Sequence, residues 1–132
     1  MVRFNRWLTG VALSVGLSVS SAHAAVTEDT FLLRSSGDLV DLCSGAQSDT
    51  LYTAAVNFCQ GFTVGVFRVL QEEDMAKLSR HMFCFPNPTP SRNETISSFV
   101  QWAKSDASRL SLTPADGVAS FLVQQFPCPR GR

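Results

Sequence analysis

The sequence has 132 residues, of which 45% are hydrophobic, 11 are basic and 11 are acidic. Two of the basic residues and none of the acidic ones lie in residues 1–24, so nine basic and 11 acidic residues remain in the rest of the chain. A chain of this length forms about one domain. Without an excess of basic residues it lacks the cationic surface that nucleic-acid binding requires, so no nucleic-acid partner is expected.

The N-terminal segment has the three parts of a secretory signal peptide. Two arginines precede an uncharged, mostly apolar run from Trp7 to about Val19, and small residues follow up to Ala24. The run is shorter than the roughly 20 apolar residues that cross a bilayer, and it is interrupted by glycine and serine. We therefore expect a signal peptide over residues 1–24, cleavage after about Ala24, and a periplasmic domain over residues 25–132 that does not insert into the membrane.

The mature chain begins with a lead-in from Val26 to Arg34, which is predicted to be an extended arm packed on the core or the start of the first helix. The first helix is expected from about Gly37 to Cys43. Ser36 is its predicted N-cap, because a serine side chain can accept a hydrogen bond from an unpaired amide at a helix start. Gly45 is expected to end this helix in the left-handed conformation.

The second helix is predicted from about Leu51 to Glu73 and is expected to be the central, most buried one. Its apolar positions recur at helical spacing along one side: Tyr52, Ala55, Phe58, Phe62, Val66 and Leu70. Gly61 and Gly65 lie inside this helix, where each costs about 1 kcal/mol relative to alanine. We therefore expect another backbone to pack closely over these two glycines.

A charged connector follows from Glu72 to Phe83. Its acidic run and the nearby basic residues are the predicted exposed surface for a protein partner: Glu72, Glu73, Asp74, Arg80 and His81. His81 is the single histidine after residue 24, and we interpret it as a solvated side chain rather than a general base. The segment from Cys84 to Pro90 then contains three prolines, which exclude a regular helix.

The starts of the last two helices are the most specific local signals. Ser91 and Glu94 form the S-x-x-E pattern of a capping box, and the apolar positions of the third helix continue to Leu110. Residues 113–116 read Thr-Pro-Ala-Asp, which places a cap, a proline and an acid at the start of the fourth helix, and Pro127 ends it. Because few residues join these helices, we expect an antiparallel hairpin.

The four cysteines predict two disulfide bonds. Cys43, Cys59, Cys84 and Cys128 form an even set in a small exported domain, and they contain no C-x-x-C pair typical of a zinc site. The expected hairpin brings Cys128 back to Cys84, which leaves Cys43 with Cys59. A bond between Cys59 and Cys84 is the next alternative. With the helices above, the sequence predicts an all-α fold, a small bundle of four to five helices with two disulfides.

Motifs that carry catalysis are missing from the sequence. It contains no G-x-S-x-G, no phosphate-binding loop, no H-E-x-x-H and no dinucleotide-binding fingerprint. The cysteines are expected to be oxidised and are then unavailable as nucleophiles. We therefore expect a protein that is not an enzyme, with no catalytic residues, no cofactor and no metal.

Three motifs carry a resemblance to a known family. They are Phe58-Cys59-Gln60-Gly61-Phe62-Thr63-Val64-Gly65, Phe83-Cys84-Phe85-Pro86 and Phe126-Pro127-Cys128. The stretch from about Asp38 to Cys128 resembles the Tai-type family, periplasmic immunity proteins for type VI secretion amidase effectors. It departs from the family where the last two helices join, since members often carry a His-Pro there. The resemblance implies an all-helical fold, dimers in some members and a role in binding a toxin.

The leading functional interpretation is therefore an exported binding protein that inhibits a peptidoglycan amidase effector, its secreted protein partner. A second interpretation is a periplasmic stress or chaperone-like binder, which would hold aggregation-prone clients at low pH. A third, a small hydrolase, would lose activity when His81 or an acidic residue is replaced. The matching residues are cysteines, glycines and core aromatics, so the resemblance implies the scaffold and assigns no contact residues.

Overall fold

A computed structural model describes residues 25–76 and 81–129, and within these ranges the regular structure is entirely helical. A 3₁₀ helix, Glu28–Leu32, is followed by five α-helices: α1 Ser36–Cys43, α2 Tyr52–Ala76, α3 Arg92–Lys104, α4 Ala107–Leu110 and α5 Pro114–Gln125. The predicted all-α class is confirmed. The expected signal peptide lies outside the described residues.

The short helix α1 lies at the centre of the bundle. Leu39 and Leu42 are completely buried, Val40 is 1% exposed, and α1 contacts every other described helix. By contrast, α2 leaves Phe58 37% exposed and Val69 58% exposed. The expectation that the second helix is the most buried one is therefore wrong, because α2 is a long outer helix with one side open to solvent.

The start of α1 packs directly on the start of α5. The Ser36 backbone amide donates to the Leu112 carbonyl at 2.8 Å, and the Ser36 hydroxyl donates to the Thr113 carbonyl at 3.1 Å. A Cβ atom on Gly117 would collide with the Ser36 hydroxyl. Because only hydrogen fits at that point, Gly117 lets the two helix starts pack directly on each other.

The helices α3 and α5 do not form the expected antiparallel hairpin. The Phe99 and Phe121 rings lie 5.7 Å apart, the Trp102 ring lies 5.8 Å from Phe121, and the Trp102 indole donates to the Gln124 side-chain oxygen at 3.1 Å. Later residues of α3 thus contact later residues of α5, whereas an antiparallel pair would bring Trp102 to the start of α5. The hairpin prediction is wrong.

An extra helix accounts for this difference. The predicted third helix was continuous to Leu110, but α3 ends at Lys104 and α4 begins after Asp106. The Asp106 carboxylate accepts hydrogen bonds from the backbone amide and the hydroxyl of Ser108, at 2.9 and 2.7 Å. Aspartate is a strong N-cap, so this residue starts a new helix and redirects the chain between α3 and α5.

Both disulfides have the predicted pairing. The Cα atoms are 5.2 Å apart in Cys43–Cys59 and 4.8 Å apart in Cys84–Cys128. The pairing holds although the hairpin does not, because the chain before α3 lies against the end of α5: the Cys84 amide donates to the Phe126 carbonyl at 2.7 Å. In the chain-entropy treatment each crosslink contributes roughly 3–4 kcal/mol to stability.

Two of the predicted helix starts are confirmed. Ser91 and Glu94 form a complete capping box, in which the Ser91 hydroxyl accepts from the Glu94 amide at 3.3 Å and Glu94 accepts from the Ser91 amide at 2.8 Å. Thr113 caps α5, and Pro114 is the first residue of that helix. These short-range patterns succeed because the cap and its partner lie within one helical turn of each other.

The start and end of α1 differ from prediction. Its N-cap is Ser35, whose hydroxyl accepts from the Asp38 amide at 3.3 Å, whereas Ser36 is fully buried against α5. No glycine in residues 25–76 and 81–129 has a positive φ, so the expected left-handed Gly45 is wrong. The left-handed residue is Leu33, with φ 52°, which ends the 3₁₀ helix. The lead-in is thus neither an extended arm nor part of α1.

Candidate partner-binding site

The connector after α2 is attached to that helix by one carboxylate. Asp74 is 7% exposed, and its two oxygens lie 2.9 Å from His81 Nδ1 and 2.6 Å from the Met82 amide nitrogen. The backbone amide donates to Asp74, while the proton position on the His81 ring depends on its tautomer. Because Asp74 holds both residues, it fixes where the chain lies after α2.

The predicted contact residues are therefore of two kinds. Glu72 and Glu73 are exposed, and the His81 side chain is 62% exposed, so these three are available to a partner. Asp74 is buried, and the description of the whole acidic run as exposed is wrong for this residue. Arg80 lies outside the described residues. The proposed contact role of these residues stays a prediction.

An exposed apolar side chain accompanies the two glutamates. Met75, which the sequence reasoning did not select, is 63% exposed at the end of α2. We define the distal surface as Glu72, Glu73, Met75 and His81. Residues one or two positions apart do not share a helix face, so these side chains are distributed around the end of α2. The two exposed carboxylates suit basic groups on a protein partner. The exposure of Met75 could not be predicted from the sequence, because the spacing of methionines does not report which of them face solvent.

The two glycines of α2 lie on an open surface. An added Cβ at Gly61 or at Gly65 would meet no atom within 4 Å, so the predicted close packing of a backbone over them is wrong within the described chain. Phe58 and Val69 lie on the same side of the helix as these glycines, because Phe58 is three positions before Gly61 and Val69 is four positions after Gly65. We define the open face of α2 as Phe58, Gly61, Gly65 and Val69.

This open face continues onto α5. A shallow groove of about 480 Å³ lies between the two helices, with Gly61, Gly65 and Val69 on one wall and Ala115 and Ala119 on the other. Small residues on both walls let another surface approach the backbones closely. The signal was visible in the sequence as G-x-x-x-G, but the sequence alone does not tell whether the approaching backbone belongs to the same chain.

Among the described residues, contacts between potentially catalytic groups are few. Asp74 and His81 form a carboxylate–imidazole pair, but the described residues place no serine or threonine hydroxyl in hydrogen-bond contact with His81. All four cysteines are in disulfides. In residues 25–76 and 81–129, no three histidine, cysteine or acidic side chains cluster to hold a metal ion. Nor is any helix in these ranges both long and apolar enough to cross a membrane.

The fold and this surface define a small, disulfide-linked helical protein whose exposed features suit binding. Residues 35–128 match the Rap1a immunity protein family, and the chain belongs to that family. The match begins at Ser35, the N-cap of α1, and spans all five α-helices and both disulfides, whereas the 3₁₀ helix lies before it. Proteins of such families act by binding an effector protein, and they are generally not catalytic. Searches of curated proteins and of solved structures found no match.

Proposed function

We propose that this protein binds a peptidoglycan-cleaving amidase effector in the periplasm and blocks its active site. The observation that carries the proposal is the match of residues 35–128 to the Rap1a immunity proteins. The motifs around Cys59, Cys84 and Cys128, which resemble the Tai-type immunity proteins of type VI secretion, support the finer choice of an amidase. An immunity protein of this kind protects the cell that makes it.

The periplasmic location is supported by the cysteines. Disulfides persist in oxidising compartments and are rare in a reducing cytoplasm. All four cysteines of this chain are paired, and they follow a segment with the features of a signal peptide. Since peptidoglycan is also periplasmic, an inhibitor in this compartment meets the effector where the effector would act.

The distal surface is the proposed contact with the amidase. Glu72 and Glu73 are adjacent exposed carboxylates, and Met75, three positions after Glu72, exposes apolar area on the Glu72 side of the helix. Opposite charges across an interface speed association and set its orientation, while the buried apolar centre supplies most of the affinity. Asp74 contributes indirectly, since it holds His81 in place at 2.9 Å.

The test uses candidate amidase effectors produced with this protein in the periplasm. We expect the mature protein to co-purify with one of them, to inhibit its cleavage of peptidoglycan, and to prevent lysis of the producing cells. The double variant Glu72→Lys/Glu73→Lys should weaken binding at least about tenfold, or 1.4 kcal/mol. Neither capture nor protection by the wild-type protein would contradict the amidase proposal.

A matched control separates this surface from a general charge effect. Glu28 and Asp29 are also adjacent, exposed and acidic, and they lie in the 3₁₀ helix. Glu28→Lys/Asp29→Lys makes the same change in net charge and should leave affinity within about twofold of wild type. An equal loss in both double variants would show that the distal surface is not the contact, even where inhibition itself is observed.

We further propose that two copies of the chain pair through the open face of α2. Gly61 and Gly65 each cost helix stability, have no neighbour within 4 Å of an added Cβ, and lie between the exposed Phe58 and Val69. Sedimentation equilibrium should detect a dimer that Gly61→Ala/Gly65→Ala weakens at least about tenfold. Gln101→Ala, at an exposed position of α3, is the control, and a monomer at all concentrations would contradict the pairing.

A further inference from the structure

A second, deeper groove lies on the other side of α2. It has a volume of about 510 Å³ and is lined by residues of α2, α3, α5 and the chain segment before α3. Its base is apolar, because Phe99, Phe121 and Leu122 line it and each is at most 2% exposed. The half-buried rings of Phe67 and Phe85 form its side. The apolar surface that solvent reaches in this groove is therefore provided by partly buried side chains such as Phe67 and Phe85, which lie over a fully packed base.

Two guanidinium groups stand at the edge of this groove. Arg68 and Arg92 both line it, and both are exposed. The Arg68 guanidinium donates to the Gln71 side-chain oxygen at 3.0 Å and lies 5.8 Å from the Phe67 ring centre. These contacts hold a positive charge directly beside the apolar side of the groove.

Neither arginine is neutralised within the described chain. The ion pairs among the described residues are Arg34 with Asp38 and His81 with Asp74. Glu94 is near Arg92 in sequence, but its carboxylate accepts hydrogen bonds from Ser91, which lower its pKa, and it serves the helix cap. A positive charge in the first turn of a helix is also unfavourable to the helix dipole, so Arg92 costs stability where it stands.

We propose that this groove binds a single-chain carboxylate amphiphile, with the alkyl chain along the Phe67 and Phe85 rings and the carboxylate at Arg68 and Arg92. Ligand sites of small molecules are concave, roughly 300–1,000 Å³ in volume, mostly apolar and provided with a few polar groups that orient the ligand. The groove meets each of these conditions. Arginine also matches a carboxylate with two parallel hydrogen bonds, which favours a carboxylate head over a neutral or cationic one.

The groove is preformed in the oxidised protein. Cys84–Cys128 and the 2.7 Å hydrogen bond from the Cys84 amide to the Phe126 carbonyl fix the chain that carries Phe85. The Phe85 and Phe126 rings are 4.5 Å apart, and Phe85 is also 5.6 Å from Phe67. An amphiphile therefore finds its apolar wall already in place and does not have to order it on binding.

The primary test is calorimetric titration of the oxidised mature protein with dodecanoate, kept below its critical micelle concentration. We expect saturable binding to one site, with chemical-shift changes for Ile96, Val118 and Leu122, which line the groove. Dodecyltrimethylammonium has the same chain length and the opposite charge, and it should bind at least about fivefold more weakly. Equal affinity for the two amphiphiles, or no binding of dodecanoate, would overturn the proposal.

Variants locate the site and its charge preference. Arg68→Gln and Arg92→Gln should each weaken dodecanoate about three- to fivefold and leave dodecyltrimethylammonium no weaker. Arg34→Gln removes an exposed arginine that does not line the groove and should change neither affinity. Thr89→Trp, at an exposed position of the groove wall, should block both amphiphiles.

The Thr89→Trp variant also tests whether the amphiphile binds in this groove at all. Unchanged dodecanoate binding in the Thr89→Trp protein, with circular dichroism showing that it is folded, would place the amphiphile elsewhere and overturn the assignment.

Discussion

The glycine near the start of α5 and the two glycines in the interior of α2 lie in opposite environments. A side chain on Gly117 would collide with Ser36, whereas side chains on Gly61 and Gly65 would meet nothing within 4 Å. At Gly117 the absence of a side chain is required by a neighbour in the same chain. On α2 no neighbour in the described chain requires it. Glycine weakens both helices, but only at Gly117 does a contact within the described chain account for the missing side chain.

The largest expected effect is at Gly117, where the neighbouring helix leaves no room for a side chain. Gly117→Ala gains about 1 kcal/mol of helix propensity but forces Cβ into the Ser36 hydroxyl, and overpacking of this kind costs about 1–3 kcal/mol or more. We expect the free energy of unfolding to fall by about 1–2 kcal/mol in urea titrations. A variant as stable as the wild type would show that α1 and α5 can separate without loss.

A double-mutant cycle sharpens the origin of that loss. Ser36→Ala removes the hydroxyl that meets the added Cβ and the hydrogen bond to the Thr113 carbonyl, which costs about 1 kcal/mol by itself. Combined with Gly117→Ala, it should cost less than the sum of the two single changes, with a coupling of about 1 kcal/mol. Strict additivity would mean that the two side chains do not collide.

On the open face of α2, replacing either glycine by alanine should stabilise the monomer. Gly61→Ala and Gly65→Ala should each raise the free energy of unfolding of the monomer by about 0.5–1 kcal/mol, because alanine restricts the unfolded chain and creates no collision. Thermal unfolding must be measured at a concentration where the protein is monomeric, so that any loss of pairing does not mask the gain. Destabilisation of the monomer would place a neighbour over these positions.

The smallest effect is expected beside the glycines. Val69→Ser changes a side chain that is 58% exposed, and substitutions at such positions usually alter stability by less than about 0.5 kcal/mol. The monomer should therefore unfold almost as the wild type does, while self-association, measured by sedimentation, should weaken. A large loss of monomer stability would show that Val69 contributes to the core.

Local signals in the sequence were sufficient for much of the fold. The capping box at Ser91, the cap at Thr113 and the apolar periodicity of the helices each depend on residues within one or two turns. The disulfide pairing was also predicted correctly. Its supporting geometry was wrong, because Asp106 starts α4 and redirects the chain, and an aspartate inside an amphipathic pattern is easily assigned to the wet side of one continuous helix.

The parts that could not be predicted depend on distant residues. The element that lies opposite a helical glycine decides whether that glycine is covered. For Gly117 the covering residue is Ser36, which is 81 positions away along the chain. The burial of Asp74 similarly depends on His81 and Met82 returning to it. Among the predicted contact residues, the sequence could identify the charges but not which of them face solvent.

The order of the disulfides along the chain has a consequence for biogenesis. Cys43 pairs with Cys59 and Cys84 with Cys128, so the two covalent loops follow one another and neither encloses nor crosses the other. For a chain that crosses a membrane N-terminus first, an oxidase that joins thiols in their order of emergence produces the native connectivity directly. Such a protein should mature without an isomerase, and its first loop can close before the second pair of thiols has left the translocation channel.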